Sequence, residues 1–337
     1  MTKILEIDGL QTHFHTEAGV VRALNGVNLS VERGETVGLV GETGSGKSVT
    51  AKSVMQLIPS PPGEIVDGSI RFRGENVLEK SPSEIRAIRG SDIAMVFQDP
   101  STSLNPVYTI RNQMIEVITT NRGVSKPEAE DIAHETLEEV EMPRPEGVLK
   151  SYPHELSGGM KQRVMIAMEL ACDPELIIAD EPTTALDVTI EKKVLSIFSK
   201  LVEEHNLSVL WITHDLGVVA QFCDRVGVMY AGEIVEFGTV RDIFHRPTHP
   251  YTRELLKTIP NVANPKDSLG VIEGSVPNLV NPPSGCRFHP RCPDAEERCR
   301  SENPPKIRGA DQHESSCLVH EVTDTDHSSS EGNSGGE

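Results

Sequence analysis

The sequence predicts an α/β fold with a helical insert and a cysteine-bearing C-terminal extension. Three observations carry that expectation. The apolar run "TVGLVG" (36–41) leads straight into "GETGSGKSVTAKSVMQLI", a glycine-rich turn followed by a helical pattern. Further apolar runs, "LIIADE", "SVLWIT" and "RVGVMYAGEIVEFG", recur downstream with helical stretches between them. From about residue 100 to 155 the pattern is helical throughout. Continuous apolar strands alternating with helices are those of a sheet covered on both faces.

Taken in order, residues 3–8 alternate as a strand, and "GVNLSVERGETVGLVG" reads as two strands joined at Arg33–Gly34. "SDIAMVFQ" is a further strand, and Pro127 in "KPEAEDIAHETLEEVEM" suits the first turn of a helix. Beyond about residue 246 the texture becomes proline-rich and weakly periodic. These shifts divide the chain into a core (1–99 and 156–245), a helical insert (100–155), a C-terminal region (246–320) and an acidic tail (321–337). The tail is polar and rich in glycine and serine, so disorder is expected there.

A chain of 337 residues suits one large domain with an accessory region. Its 51 acidic and 32 basic residues leave a net charge of −19, which argues against nucleic acid as a partner. No stretch approaches 18 consecutive apolar residues. Glu6 and Asp8 interrupt any signal-like run at the start, so a cytosolic location is expected.

"GETGSGKS" (41–48) has the spacing of a phosphate-binding P-loop, placed between a buried strand and a helix. Gly41, Glu42, Thr43, Gly44, Ser45 and Gly46 would wrap phosphate with backbone N–H groups. Lys47 would hold the β- and γ-phosphates and Ser48 a Mg²⁺, with Val49 following in the helix. "LIIADE" ends in Asp180 and Glu181, suited to organising Mg²⁺ and to accepting a proton from attacking water. "LWITHD" delivers His214 to the same sheet edge. In "LSGGMKQR", Ser157, Gly158 and Gly159 cap a long helix and make a second anion-binding device. One nucleotide does not need two such devices from one chain. Two chains facing head to tail would each lend this cap to the other.

Together these residues resemble the ABC-type ATPases. The resemblance runs, in order, through GETGSGKS, Gln98 in "MVFQDP", LSGGM with Met160 in place of the commoner glutamine, LIIADE, "ALD" (185–187) and His214. It implies a mixed sheet core with an antiparallel portion and a helical subdomain. It also implies that Gln98 joins Ser48 and Asp180 at Mg²⁺, that Asp187 lines the nucleotide site, and that Phe14 stacks on adenine. "QDPSTSLNP", "SYPHELSGGMKQRVMIAMEL", "DEPTTALDVTI", "RPTHPYTRELL" and the ending from Pro283 to Cys299 are similar to the dipeptide/oligopeptide/nickel importer ATPases. That similarity implies ATP hydrolysis with Glu181 as base and His214 at the γ-phosphate. The implied partners are a second related ATPase subunit, two membrane permeases and an extracytoplasmic binding protein, at the cytoplasmic face of the membrane. Peptides are the expected cargo, with nickel and oligosaccharides as alternatives. A DNA-repair or translation ATPase is the reading from another class. Only 110 residues separate Lys47 from Ser157, too few for the long inserts of repair proteins, and the chain carries one cassette rather than two.

Cys286, Cys292, Cys299 and Cys317 are separated by five, six and seventeen residues, gaps longer than the tight knuckles of structural zinc sites. Four thiolates on loose loops suit a [4Fe–4S] cluster, and the resemblance points the same way. Zinc is the alternative, with His289 and His313 as further ligands. The surrounding region reads as poor in core residues, so a metal would supply its order. Cys172 and Cys223 read as inert core thiols.

Overall fold

The computed structural model describes residues 2–98, 103–184, 187–259, 270, 272–309 and 313–320. The expectations placed on Asp99–Thr102, on Ala185–Leu186 and on the tail 321–337 lie outside the described residues.

The described residues form two sheets. The smaller is antiparallel, ordered β2-β1-β4-β5, from β1 (Lys3–Thr16), β2 (Gly19–Glu32), β4 (Gly63–Phe72) and β5 (Glu75–Asn76). Leu5, Ile7 and Leu10 of β1 are fully enclosed, with Val27, Leu29 and Val31 of β2 beside them. The sequence reading assigned no element between the first helix and "SDIAMVFQ". The structure places β4, β5 and a helix (Pro82–Ile88) there. Ser81 and Glu84 close a reciprocal capping box at that helix, so local chemistry does mark its start.

The larger sheet has eight strands in the order β11-β12-β10-β9-β3-β8-β7-β6. Its parallel part is β9 (Arg225–Tyr230), β3 (Thr36–Val40), β8 (Ser208–Thr213), β7 (Leu176–Asp180) and β6 (Ile93–Val96). Every residue of β3, β7 and β8 is buried, as their continuous apolar runs predict. "RVGVMYAGEIVEFG" resolves into a hairpin of β9 and β10 (Glu233–Thr239) that turns at Ala231–Gly232. Two short strands, β11 (Ile307–Arg308) and β12 (Glu314–Ser315), extend the sheet from β10, so the C-terminal region continues the main sheet.

The insert is helical, with Ile110–Arg122, Lys126–Glu139 and Pro145–Lys150 leading to the helix Gly158–Leu170. Thr109, Ser125 and Ser157 cap three of these helices with side-chain oxygens. Helix Val188–His205 buries Val194, Leu195, Ile197, Phe198 and Leu201 along one face. Phe198 meets Trp211 of β8 edge to face at 5.0 Å between ring centroids.

One expectation fails. The C-terminal region is not poor in core residues: its Tyr251 and Phe288 pack with Tyr230 of β9, ring centroids 4.6–5.3 Å apart. All three are fully enclosed, and Ile272, Val276 and Leu279 pack against the same cluster. Proline-rich, aperiodic sequence hid this core because its apolar residues meet through tertiary contacts, not at helical or strand spacing.

Candidate nucleotide site

Parallel strands all point the same way, so their C-terminal ends share one edge of the sheet, where ligands of such folds bind. Here β3 ends at the P-loop, β7 at Asp180, β8 just before His214, and β6 two residues before Gln98. Strand order, not sequence distance, therefore assembles the site.

The P-loop turns on glycines in backbone conformations that side chains resist. Gly41, Gly44 and Gly46 have φ of 152°, 82° and 110°. At Gly41 a Cβ would also lie 2.1 Å from the Met229 carbonyl oxygen of β9. That glycine is required by the neighbouring strand, whether or not phosphate is bound. The loop tip, Thr43 and Gly44, is exposed, whereas Ser45 is fully enclosed and its carbonyl accepts from Gly232 N–H at 2.7 Å. Lys47 is buried and donates to the carbonyls of Gly41 (2.7 Å) and Glu42 (3.1 Å). Burial lowers its pKa, while Glu181, Asp180 and Glu42 pull in the opposite direction. Val49 faces the core behind the loop.

Ser48 Oγ donates to Asp180 Oδ1 at 2.9 Å, so the two residues proposed for Mg²⁺ are already paired. Burial raises the Asp180 pKa, and Ser48 restrains that rise. This donor set suits Mg²⁺: a hydroxyl and a carboxylate, both oxygen, beside a phosphate-binding loop. Glu181 is the hub of a second group. Its Oε2 accepts from Gln98 Nε2 (3.2 Å) and Thr184 Oγ1 (2.9 Å), and lies 3.4 Å from His214 Nδ1. Its backbone N–H is anchored to the Ile212 carbonyl at 2.8 Å, and its φ is 49°, a left-handed conformation that costs a non-glycine residue free energy. Thr184 escaped the sequence reading, although it stands three residues beyond Glu181 in the quoted "DEPTTALDVTI".

Ser157 caps its helix by accepting from Met160 N–H, at 3.4 Å. Ser157 and Gly158 are exposed and Gly159 is buried against Ile190. Among the described residues no hydrogen bond joins this cap to the P-loop of the same chain. Asp187 caps the helix Val188–His205, accepting from Thr189 and Ile190 N–H at 3.0 Å each. Phe14 is half-buried on β1, opposite Val21 and Gly63.

Comparison with known proteins decides what this arrangement is. Residues 24–184 match the ABC transporter family, and residues 235–299 match the C-terminal region of oligopeptide/dipeptide transporters. The oligopeptide transport ATP-binding protein AppD of Bacillus subtilis (strain 168) is 47% identical over 95% of this chain and 98% of its own length. The chain belongs to the ABC transporter family, as an ATP-binding protein. The dipeptide transport ATP-binding protein DppD of Escherichia coli (strain K12) is 45% identical over 93% of this chain and 96% of its own. A solved dimeric ABC cassette, in a post-hydrolysis state with ADP and Pi, superposes with TM-score 0.64 at 29% identity, covering 70% of this chain and 99% of that one. ATP hydrolysis is thus the reaction of this ABC ATPase, and no helix among its described residues is long and apolar enough to cross a membrane.

Four cysteines of this ABC ATPase belong to the C-terminal region, where Cys286 N–H donates to the Cys299 carbonyl at 2.9 Å. Cys299 and Cys317 are buried, Cys286 and Cys292 half-buried. Burial pushes the Cys286 thiol up to about 11, with Cys299 and Cys317 adding to the rise. Burial likewise pushes Cys292 up to about 12, with Cys286 and Cys317 contributing. N–H groups of Phe288 and His289 favour the Cys286 thiolate, and His320 N–H donates to Cys317 Sγ at 3.4 Å. Nevertheless, among the described residues no three His, Cys, Asp or Glu side chains form a group that could hold a metal ion. Each histidine offered as a zinc ligand has one ring nitrogen in a hydrogen bond, which leaves its other nitrogen for a metal. His313 is buried with Nε2 2.8 Å from Glu236 Oε1, and His289 Nδ1 donates to the Cys286 carbonyl at 2.9 Å. Cys172 is buried, with its thiol pushed up to about 11 chiefly by burial. Burial also raises the half-buried Cys223 thiol, which disfavours the reactive thiolate at both positions.

Proposed function

We propose that this chain powers the import of di- and oligopeptides, working at the cytoplasmic face of the membrane with two permease subunits and a second related ATPase. The supporting observation is the pairing of an ABC-type nucleotide site with a C-terminal region of the oligopeptide/dipeptide type in one chain. The relatives named for oligopeptide and dipeptide transport match nearly end to end. An extracytoplasmic binding protein would select the cargo.

In this reading Lys47 and the P-loop N–H groups bind the phosphates, and Phe14 stacks on adenine. Ser48 and Asp180, with Gln98, would hold Mg²⁺, which offsets phosphate charge when bound. Glu181 accepts the proton of attacking water, and Gln98, Thr184 and His214 keep its carboxylate aimed. The exposed Ser157–Gly158 cap completes the facing chain's site, with Asp187 at the same seam. Head-to-tail closure around ATP and reopening after hydrolysis would move the permeases through the surface beside Gln98 and the helical insert.

The same reading extends to Cys286, Cys292, Cys299 and Cys317 as ligands of a structural [4Fe–4S] cluster, with zinc as the alternative. The N–H groups that favour a Cys286 thiolate and that donate to Cys317 Sγ support it. Among the described residues no three His, Cys, Asp or Glu side chains are grouped to hold a metal ion, which counts against the cluster and against zinc alike.

Reconstitution tests the function. The chain, co-expressed with two permease subunits of a peptide importer and placed in liposomes, should drive ATP-dependent uptake of labelled di- and oligopeptides. Uptake of Ni²⁺ or oligosaccharide without peptide would replace the cargo assignment. Absence of any permease partner would replace the transporter assignment.

A further inference from the structure

The cysteine loop and the P-loop are tied by the arginines that flank the cysteines. Arg291 precedes Cys292, and its side chain is only 6% exposed. Its guanidinium grips the Glu42 carboxylate with both prongs: Nη1 is 2.6 Å from Oε2 and Nη2 is 3.0 Å from Oε1. Its remaining N–H groups are committed too, Nε to the Glu273 carbonyl (2.9 Å) and Nη2 to that of Ile272 (3.2 Å). Nη1 also reaches the Tyr230 hydroxyl at 3.4 Å. The fork is therefore held in place before it meets Glu42.

Glu42 is held at its backbone as well. Its N–H donates to the Tyr251 hydroxyl at 3.0 Å, and its carbonyl accepts from Lys47. On the other side of the loop, Arg287 follows Cys286, donates to the Ala231 carbonyl and pairs with Glu233 at 3.2 Å. Gly232 in that same turn donates to Ser45 of the P-loop. One arginine thus ends on the P-loop directly and the other through the β9–β10 turn.

A carboxylate in a loop that receives a polyphosphate is a charge of the wrong sign. Left unpaired and half-buried, it would repel the incoming nucleotide and free the backbone it anchors. We propose that Arg291 is a positioning residue of the nucleotide site: it neutralises Glu42 and fixes the P-loop, so that the C-terminal cysteine loop sets the affinity for MgATP. This goes beyond the transport reading and needs only ATP binding.

The measurement is the Kd for MgATP of the full-length chain, with kcat from the assembled transporter. Arg291→Ala should raise Kd about tenfold while kcat at saturating ATP stays within about twofold, because the reacting groups around Glu181 are untouched. Adding Glu42→Gln removes the stranded charge and should recover most of the lost affinity. A purely structural loss would not be recovered this way. An unchanged Kd, or a loss that Glu42→Gln does not recover, overturns the proposal. Should Arg291→Ala fail to fold, Arg291→Lys replaces it. Lysine keeps the charge without the fork, so Kd should rise about threefold and fall again with Glu42→Gln. No rise, or no recovery, overturns the proposal equally.

Discussion

Ser48 donates a 2.9 Å hydrogen bond to Asp180 across 132 residues of chain. The pair joins the first turn of the helix at the P-loop to the end of β7, one residue before the hub at Glu181. Asp180→Asn keeps the size of the side chain and removes its charge. The Mg²⁺ concentration for half-maximal hydrolysis should rise about tenfold or more, since hard cations are held by carboxylate charge. Titration of ATPase activity with Mg²⁺ checks this, and an unchanged midpoint would remove Asp180 from the metal.

Glu181→Gln tests the proton acceptor. Turnover should fall by roughly 10²–10⁴-fold, the usual size of a general-base contribution, with ATP binding retained. Gln98, Thr184 and His214 all aim at the same carboxylate oxygen, so glutamine can keep the geometry while losing the base. Single-turnover hydrolysis in the assembled transporter gives the reading. Near-normal turnover would move the base elsewhere.

Gly41→Ala separates packing from catalysis. Its Cβ would meet the Met229 carbonyl oxygen at 2.1 Å, and backbone of a central strand cannot step aside cheaply. A loss of about 3 kcal/mol or more in stability is expected without any nucleotide present. Urea unfolding of the nucleotide-free chain measures it. A variant as stable as the parent would show that the loop has room.

Glu169, in the helix that starts at the Ser157 cap, supplies a pH dependence. Burial pushes its carboxyl up to about 7, with the Met95 N–H working against that rise. An acid whose folded pKa exceeds its unfolded value of 4.5 holds its proton better when folded. Its favourable contribution is therefore present below about pH 4.5 and is lost as pH climbs to about 7. Glu169→Gln should flatten this slope and stabilise the chain at pH 8 by on the order of 2 kcal/mol. Thermal unfolding at pH 5.5 and 8 compares the two proteins, and parallel curves would assign the slope to other groups.

The four-cysteine loop is tested by anaerobic purification. A brown protein with about four irons, bleached by Cys292→Ser, is the expected outcome. Because burial holds Cys286 near 11 and Cys292 near 12 when unliganded, metal loading must release protons and should weaken as pH falls. One zinc per chain, or none, in a colourless protein would replace the cluster.

The sequence by itself determined the chemistry of the phosphate loop. "TVGLVGETGSGKS" carries the signals for strand, turn and helix start within a few residues, so the phosphate loop is legible locally. It also marked the helix start at Ser157, whose cap is a local bond to an N–H group three residues ahead. Tertiary structure alone decided which strands are neighbours. The order β3-β8-β7-β6 brings His214 and Gln98 to one oxygen of Glu181, and no local pattern encodes that order. It also decided that the aromatic cluster of Tyr230, Tyr251 and Phe288 would carry Arg291 to Glu42, 249 residues away. Periodicity reports which face of an element is buried; it does not report what covers that face, because packing partners are chosen by the whole chain at once.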